Sequence, residues 1–433
     1  MPWKLAAVVA ATALAVSGVS RAVSHSPRPP VKPGVSDARI RNLDIQFYQQ
    51  RTERDPRGAR DFAQLAGLYL QRARETADYG DLVRAEQNAR HSLSLRIGRN
   101  ASGLGVLASS LLAQHRFAEA RDVARRLVAD DSTSIAARGL LAETQLELGD
   151  YQEAGSILGS LSIYRNDLSV APRLARWQEL HGHAEEARQL LRSARARAAR
   201  LHGLPAEQLA WFDLRLGDLA LRNGHLAEAE RELRSGLAVS PQDYRILGTL
   251  ARLEAARHHW LSAIEYGEQA IASALDPGTL GLLGEAYRAI GDSSKAQQYY
   301  RTMELVVTQQ AGPFHRAWSL FLLDHDREVP RVVAKVREEI QTRKDIYGYD
   351  LLAWALHKSG DDREAARTIQ SALSLGTRDA MVFYHAGMIA LARGDRAQAA
   401  EYLGQALAIN PYWDPFQPAQ ARAVLTSLSR PER

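Results

Sequence analysis

Apolar positions along this chain fall into stripes that recur at a fixed interval, most plainly between Ile346 and Trp413. Tyr349, Leu352, Ala353, Leu356, Gly360, Ala365, Ile369 and Ala372 superpose on Phe383, Ala386, Gly387, Ala390, Gly394, Ala399, Leu403 and Ala406 at one constant offset of 34 residues. Within a copy, Phe383, Ala386, Gly387 and Ala390 lie at i, i+3, i+4 and i+7, which is one face of a helix. Ala399, Leu403 and Ala406 form a second stripe after a break at Gly394. Small residues at Gly387 and Ala399 let two antiparallel helices approach closely, while Phe383 and Leu403 fill the space beside them. The turn has its own chemistry: Gly394 can end a helix in the left-handed region, Asp395 can cap the next, and Gln398 can reach back to the cap. Gly149-Asp150…Glu153 and Gly360-Asp361…Glu364 repeat this, and Gly291-Asp292 repeats it in part. Such a hairpin cannot bury its apolar face alone, so it stacks on neighbours.

Followed outward, the pattern organises most of the chain. A helix from Asp37, with Ile40, Leu43 and Phe47 on its apolar side, opens or caps the array over 37–58. The first hairpin, about Ala59 to Asn100, is irregular. Phe62, Leu65, Ala66 and Tyr69 set its first helix, but Ala85 comes seven residues late, so extra residues around Ala77 to Asp81 are expected to lengthen the turn. Further pairs follow at Ala101–Ser134, Ile135–Asp167, Leu168–Gln208, Ala210–Asp243, Tyr244–Asp276, Pro277–Gln310 and Ala311–Asp345. Pro330 stands where the second helix of the last of these begins, a position proline tolerates. With the opening pair this makes about ten repeats over 59–413. Phe416 to Leu428, with Ala419, Ala423 and Leu425 on its apolar side, is expected to cover the final face within 414–433. No segment calls for strands, and the predicted fold class is all-α.

Leu280-x2-Leu283-Gly284-x2-Tyr287…Ala296-x3-Tyr300 resembles the signature of the tetratricopeptide repeat family. Leu216-Gly217…Ala229-x3-Leu233…Pro241 and Gly387…Ala399-x3-Leu403…Pro411 are similar to it as well. The resemblance implies a right-handed α-solenoid of antiparallel helix pairs whose concave face, lined by the first helix of each pair, grips proteins or peptides. It names an architecture rather than one protein. The lysine and asparagine clamp that some members use for carboxyl-terminal peptides is absent here.

Composition changes this picture only at the amino terminus. Of the 55 basic residues 49 are Arg and six are Lys, with a formal net charge of +5, a bias that points to codon usage rather than to nucleic acid as a partner. Cysteine is absent, which excludes a lipid-attached cysteine and any disulfide framework. Residues 1–22 have the form of a secretory signal: Lys4, an apolar or small run from Leu5 to Val16, and Ser20-Arg21-Ala22 as a cleavage site. An uncleaved anchor would place the protein at a membrane, but the run falls short of the ~17–25 residues of a span, which favours cleavage. Residues 23–36 carry Pro27, Pro29, Pro30 and Pro33 and form an extended linker. The expected location is therefore the periplasm or cell envelope.

A search for chemistry returns one cluster. His115, His183, His225, His258 and His259 fall at hairpin turns of different repeats, strung along one edge, so no metal is expected. Gly-x-Ser-x-Gly, His-Glu-x-x-His and phosphate-loop signatures are missing, so neither a cofactor nor catalysis is expected. Arg188, Arg192, Arg195, Arg197 and Arg200 form either an anion patch or a solvated outer face beside Glu185 and Glu186. In the family geometry, Tyr347, Asp350, Trp354 and His357 share one concave-facing stripe, with Tyr384, His385 and Met388 at matching positions one repeat on. Rings beside a carboxylate and imidazoles suit a peptide anchor pocket, and equally an inter-repeat core. Tyr349 and Phe383 already fill the expected core position. Arg173, Arg176, Arg215 and Arg252, with Asp218, give the same face a mostly basic middle. The expected function is a non-enzymatic scaffold or adaptor of the bacterial envelope that holds a partner segment. The alternatives are a glycan- or ligand-binding protein using the aromatic cluster, and an accessory subunit of an envelope enzyme or secretion complex.

Overall fold

The computed structural model describes residues 37–309 and 316–429, so the signal-like segment 1–22 and the linker 23–36 lie outside the described residues. Over those residues the chain is all-α. Helix α1 (Asp37–Arg54) leads into the pair α2 (Ala59–Thr76) and α3 (Tyr79–Leu95). The pairs α4 (Ala101–Ala113) with α5 (Phe117–Asp130), α6 (Ile135–Leu148) with α7 (Tyr151–Leu161), and α8 (Ala171–Leu180) with α9 (Ala184–Ala198) follow. Then come α10 (Ala206–Arg222) with α11 (Leu226–Val239), α12 (Tyr244–Ala256) with α13 (Trp260–Ser273), and α14 (Pro277–Ala289) with α15 (Ser293–Gln309). The last pairs are α16 (Arg316–Asp324) with α17 (Val329–Glu339), α18 (Ile346–Lys358) with α19 (Asp362–Leu373), and α20 (Ala380–Ala392) with α21 (Arg396–Ile409). The single helix α22 (Gln417–Leu428) closes the series. Stacked helix pairs with no strand among the described residues make the fold an all-α solenoid.

The hairpin turns explain the period. Each pair turns on a residue with positive φ: Ala77, His115, Gly149, Gly182, Gly224, His258, Gly291, Asp326, Gly360 and Gly394. Successive turns lie 33 to 35 residues apart, except for 38 between Ala77 and His115 and 42 between Gly182 and Gly224. His115 and His258, like Ala77 and Asp326, thus hold the left-handed slot that glycine holds at the other six turns, an uncommon conformation in which histidine is nonetheless enriched. Every turn but the one at Ala77 closes by the same bond. The N–H of Asp150 donates to the Gln145 carbonyl at 2.9 Å, that of Asp361 to Leu356 at 2.9 Å, and that of Asp395 to Ala390 at 3.0 Å. This is the glycine-ended helix motif, and it takes the cap N–H that Gln398, Glu364 and Glu153 were expected to reach. Only the forward half of the cap forms, as in the Gln398 N–H that donates to Asp395 at 3.0 Å.

Two compact units divide the described chain: residues 37–174 with 190–212, and residues 175–189 with 213–429. The smaller has a core of Leu65, Leu70, Leu104, Leu107, Leu111 and Leu140. The larger has Leu283, Leu322, Val332, Leu352, Ile369 and Leu403. Each such side chain stabilises by ~1.5–3 kcal/mol when buried. Helix crossings in the larger unit are tight. A Cβ on Gly387 would stand 2.7 Å from the Leu403 side chain and 3.2 Å from its backbone nitrogen.

Four sequence expectations need correction. The extra residues of the first hairpin lengthen its helices to 18 and 17 residues, leaving a two-residue turn at Ala77 and Asp78. In α1 the buried positions are Arg41, Ile45 and Thr52, while Leu43 and Phe47 are 55% and 53% exposed. In α22 they are Gln417, Pro418 and Ala421, not Ala419 and Ala423. The terminal helices are covered on whichever face their neighbours reach, as Tyr384 of α20 reaches Gln420 of α22, so burial does not follow the helix's own apolar stripe. Finally, Tyr349 and Phe383 are only half-buried, and the rings beside them hold the interior.

Candidate functional site

Helices α18 and α20 carry most of the candidate residues. Asp345 accepts from the backbone N–H of Tyr347 at 3.0 Å and so starts α18, fixing the register of the face behind it. Tyr347, Asp350 and Trp354 then lie one turn apart on that face. Asp379 does the same for α20 through Met381 N–H at 3.0 Å.

The structure brings Asp350, Trp354, Tyr384 and His385 together. Nδ1 of His385 lies 2.7 Å from the fully buried carboxylate of Asp350, which also pairs with Arg316. Burial alone would raise the Asp350 pKa, but the charges of His385 and Arg316 outweigh it and hold the group at about 2. The indole of Trp354 stacks on the His385 ring and donates to Asp324 at 3.0 Å. The Tyr384 hydroxyl donates to Gln420 at 2.7 Å, and its ring meets Trp413 at 5.6 Å. His357 stands at the end of the stripe, paired with Asp362, and Met388 is half-buried. Trp354 is 4% exposed, Tyr347 4% and Tyr384 2%. The rings are interior, so of the two readings left open by the residue types the structure has the inter-repeat one, a buried polar-aromatic network.

Tyr347 is also the centre of a second network in the larger unit. The guanidiniums of Arg176, Arg222 and Arg316 lie over its ring at 5.6, 5.9 and 5.5 Å. Arg222 donates to its hydroxyl at 2.6 Å and to Asp379 at 2.9 Å. Glu179 takes Arg215 at 3.0 Å, Arg176 at 3.3 Å, and Arg222. Asp218 joins Arg215 to Arg252, each at 3.0 Å. Burial lowers the pKa of Arg215, against the pull of Asp218, and raises that of Asp218, against the pull of Arg252 and Arg215. Desolvation is therefore the dominant force on this pair, and each partner is held by its neighbours' charge.

Arg173 belongs to the smaller unit. It is buried, with Nη2 2.7 Å and Nε 3.1 Å from Glu143, and donates to the Ser169 carbonyl. Burial pushes Glu143 up to about 7 despite this partner. Three of the five arginines of the basic helix α9 region, Arg192, Arg197 and Arg200, are exposed.

Several residues of these networks went unnoticed in the sequence: Arg222, Glu179, Asp379, Arg316, Asp324 and Asp414. The partners of Arg222 stand 125 and 157 residues away, separations that no period marks, whereas Arg316 lies one 34-residue period before Asp350. Asp414 caps α22 through Phe416 and Gln417 N–H. Burial pushes it up to about 6 against those two bonds, with the charges of Asp324 and Glu285 adding to the rise. Among the described residues, no three His, Asp or Glu side chains gather as a metal ion would need.

Models of the tetratricopeptide repeat match residues 111–180, 214–279, 279–310 with 349–380, and 382–412, together more than half of the chain. No curated protein matches. Among solved structures, the fold is similar to the APC/C hetero-tetramer Cut9-Hcn1, at 12% identity and a TM-score of 0.35, over 91% of this chain and 95% of that one. It is also similar to yeast Tom70, at 11% identity and a TM-score of 0.37, over 90% and 92%. Neither likeness bears on what this chain binds. Helix pairs that turn on a left-handed residue, at most turns 33 to 35 positions apart, matched to one repeat at several places along the sequence, make this chain a member of the tetratricopeptide repeat family.

Proposed function

We propose that the protein is a non-enzymatic scaffold of the bacterial cell envelope that holds a segment of a partner protein along its concave face. Protein interaction is the general role of such repeats, and the finer reading rests on one observation. First helices of several repeats, α8, α10, α12, α18 and α20, send Arg176, Arg215, Arg252, Tyr347 and Asp379 into one connected polar network. Tyr347, Arg215 and Asp379 are buried and hold the network in place, while Arg176 and Arg252 stay partly solvated at its edge and can recognise a chain segment with little ordering cost. The burial of Trp354 and Tyr384 speaks against a glycan platform, which needs exposed ring faces. Export rests on the signal-like segment, so the mature protein should begin near Val23 by mass spectrometry.

The direct test places a photo-crosslinking residue at 252 or 388, on first helices, and at 231, on the exposed outer face of α11. The same partner protein should be captured in envelope preparations from 252 and 388 and not from 231. Capture from 231 alone would overturn the concave-face reading, and a mature chain starting at Met1 in the cytoplasm would overturn the envelope one.

A further inference from the structure

In the larger unit, the segment at the end of α10 touches the segment around α18 and α20, far along the chain. Arg222 bridges Glu179, the Tyr347 hydroxyl at 2.6 Å and Asp379 at 2.9 Å. One residue earlier, the Leu221 carbonyl accepts from Asn410 Nδ2 at 3.0 Å. Gly182, at φ +77°, passes so close to the Gly376 carbonyl that a Cβ would come within 2.7 Å of that oxygen. The bonds across this seam are polar or charge-assisted. Opening such a seam returns its groups to water, where they regain hydration, so it parts far more cheaply than an apolar contact.

Among the described residues, the network at the seam joins five guanidiniums, those of Arg176, Arg215, Arg222, Arg252 and Arg316, to four carboxylates, Glu179, Asp218, Asp350 and Asp379. Glu179 alone accepts from three guanidiniums, those of Arg176, Arg215 and Arg222, and three guanidiniums surround the Tyr347 ring. One further carboxylate could be accepted here, whereas a cation would meet like charge.

We propose that the seam is a latch that closes the inner face of this unit upon itself, and that the segment that opens it is acidic, competing with Asp379 for Arg222. The proposal rests on the reading that the inner face holds a partner, and it names that partner's chemistry. Closed, the latch occupies Arg222 and Tyr347 with the protein's own groups. An incoming glutamate or aspartate replaces Asp379 on Arg222, and the α20 end of the seam is released.

Two substitutions separate a latch from a structural brace. Asp379→Asn frees Arg222 without removing any guanidinium, and asparagine still caps α20. Arg222→Gln opens the same seam and removes the acceptor of the acid. Labelled decaglutamate and decalysine are titrated against each full chain, and hydrogen exchange is followed over 346–358 and 380–392. Both variants should exchange faster in those helices. Decaglutamate should bind Asp379→Asn about tenfold more tightly than the natural chain, because the binding-competent fraction rises. It should bind Arg222→Gln more weakly than Asp379→Asn, and decalysine should bind none. Attraction to the exposed arginines near α9 would be equal in the natural chain and Asp379→Asn, so it cannot mimic this difference. Unchanged decaglutamate affinity in Asp379→Asn, or unchanged exchange, overturns the latch. Decalysine binding tightened by Asp379→Asn overturns the acidic partner while leaving the inner face as a partner groove.

Discussion

The indole of Trp354 lies on the imidazole of His385 with ring centroids 4.2 Å apart and an interplanar angle of 14°. Both rings are interior, and the stack ties α18 to α20. Trp354→Ala should therefore cost ~3–5 kcal/mol of stability, since a large cavity opens where the surroundings relax only in part. Denaturant unfolding measures this directly. A loss below about 1 kcal/mol would mean that the ring is not part of the core in solution.

Gly387 stands where α20 crosses α21. A methyl group there would meet Leu403 side chain and backbone together, and the backbone cannot yield as a side-chain tip does. Gly387→Ala should lower stability by ~1–3 kcal/mol through overpacking, against the usual gain from replacing glycine within a helix. A rise in melting temperature would show that the crossing is looser than described.

Asp414 gives a pH signature. Its folded pKa, raised to about 6, lies above the ordinary aspartate value, so the folded state binds the proton more tightly than the unfolded chain. Its contribution to stability is thus fullest in acid and is lost as pH rises from about 4 through about 6. Asp414→Asn keeps the cap on Phe416 and Gln417 N–H while removing the titration. The stability difference between variant and natural chain should move in the variant's favour over that window. A difference independent of pH would remove Asp414 from this role.

The buried pair Arg173 and Glu143 should show the opposite face of the same physics. Arg173→Met removes the partner of Glu143, and at about pH 8, roughly one unit above that group's folded pKa of about 7, the side chain takes up a proton rather than stay unpaired, so the charge part of the loss should be about 1.4 kcal/mol. Near pH 5 Glu143 is already protonated, given a pKa of about 7 even with its partner, so the loss should shrink. Chemical unfolding at both pH values measures it; equal losses would place the cost in packing and not in charge.

The period, the turns and the helix order were legible because each is written locally. Gly149, Gly360 and Gly394 mark left-handed turns in any context, and even His115 and His258 fall on the glycine period. Burial at the ends of the stack was not legible, since Leu43 and Phe47 form an apolar stripe that the described residues leave more than half exposed. The candidate cluster was half legible. Spacing placed Asp350, Trp354, Tyr384 and His385 together, but the same residue types suit an open pocket and a buried network. What separates the two is Arg316 and Asp324 arriving from another repeat to satisfy Asp350 and Trp354. Arg222, Glu179 and Asp379 carried no signal at all, because a pairing across 157 residues obeys no helical spacing.

That pairing alters how the larger unit comes apart. In a stack whose repeats touch only their neighbours, unfolding runs inward from a free end, one repeat at a time, as in a linear Ising chain. Asn410 bound to Leu221, and Arg222 bound to Asp379, add couplings that skip the repeats between them. The last repeats therefore lose their freedom to melt first. The coupling lasts only while the seam is closed: once it parts, the last repeats fray from their free end as in an unlatched stack.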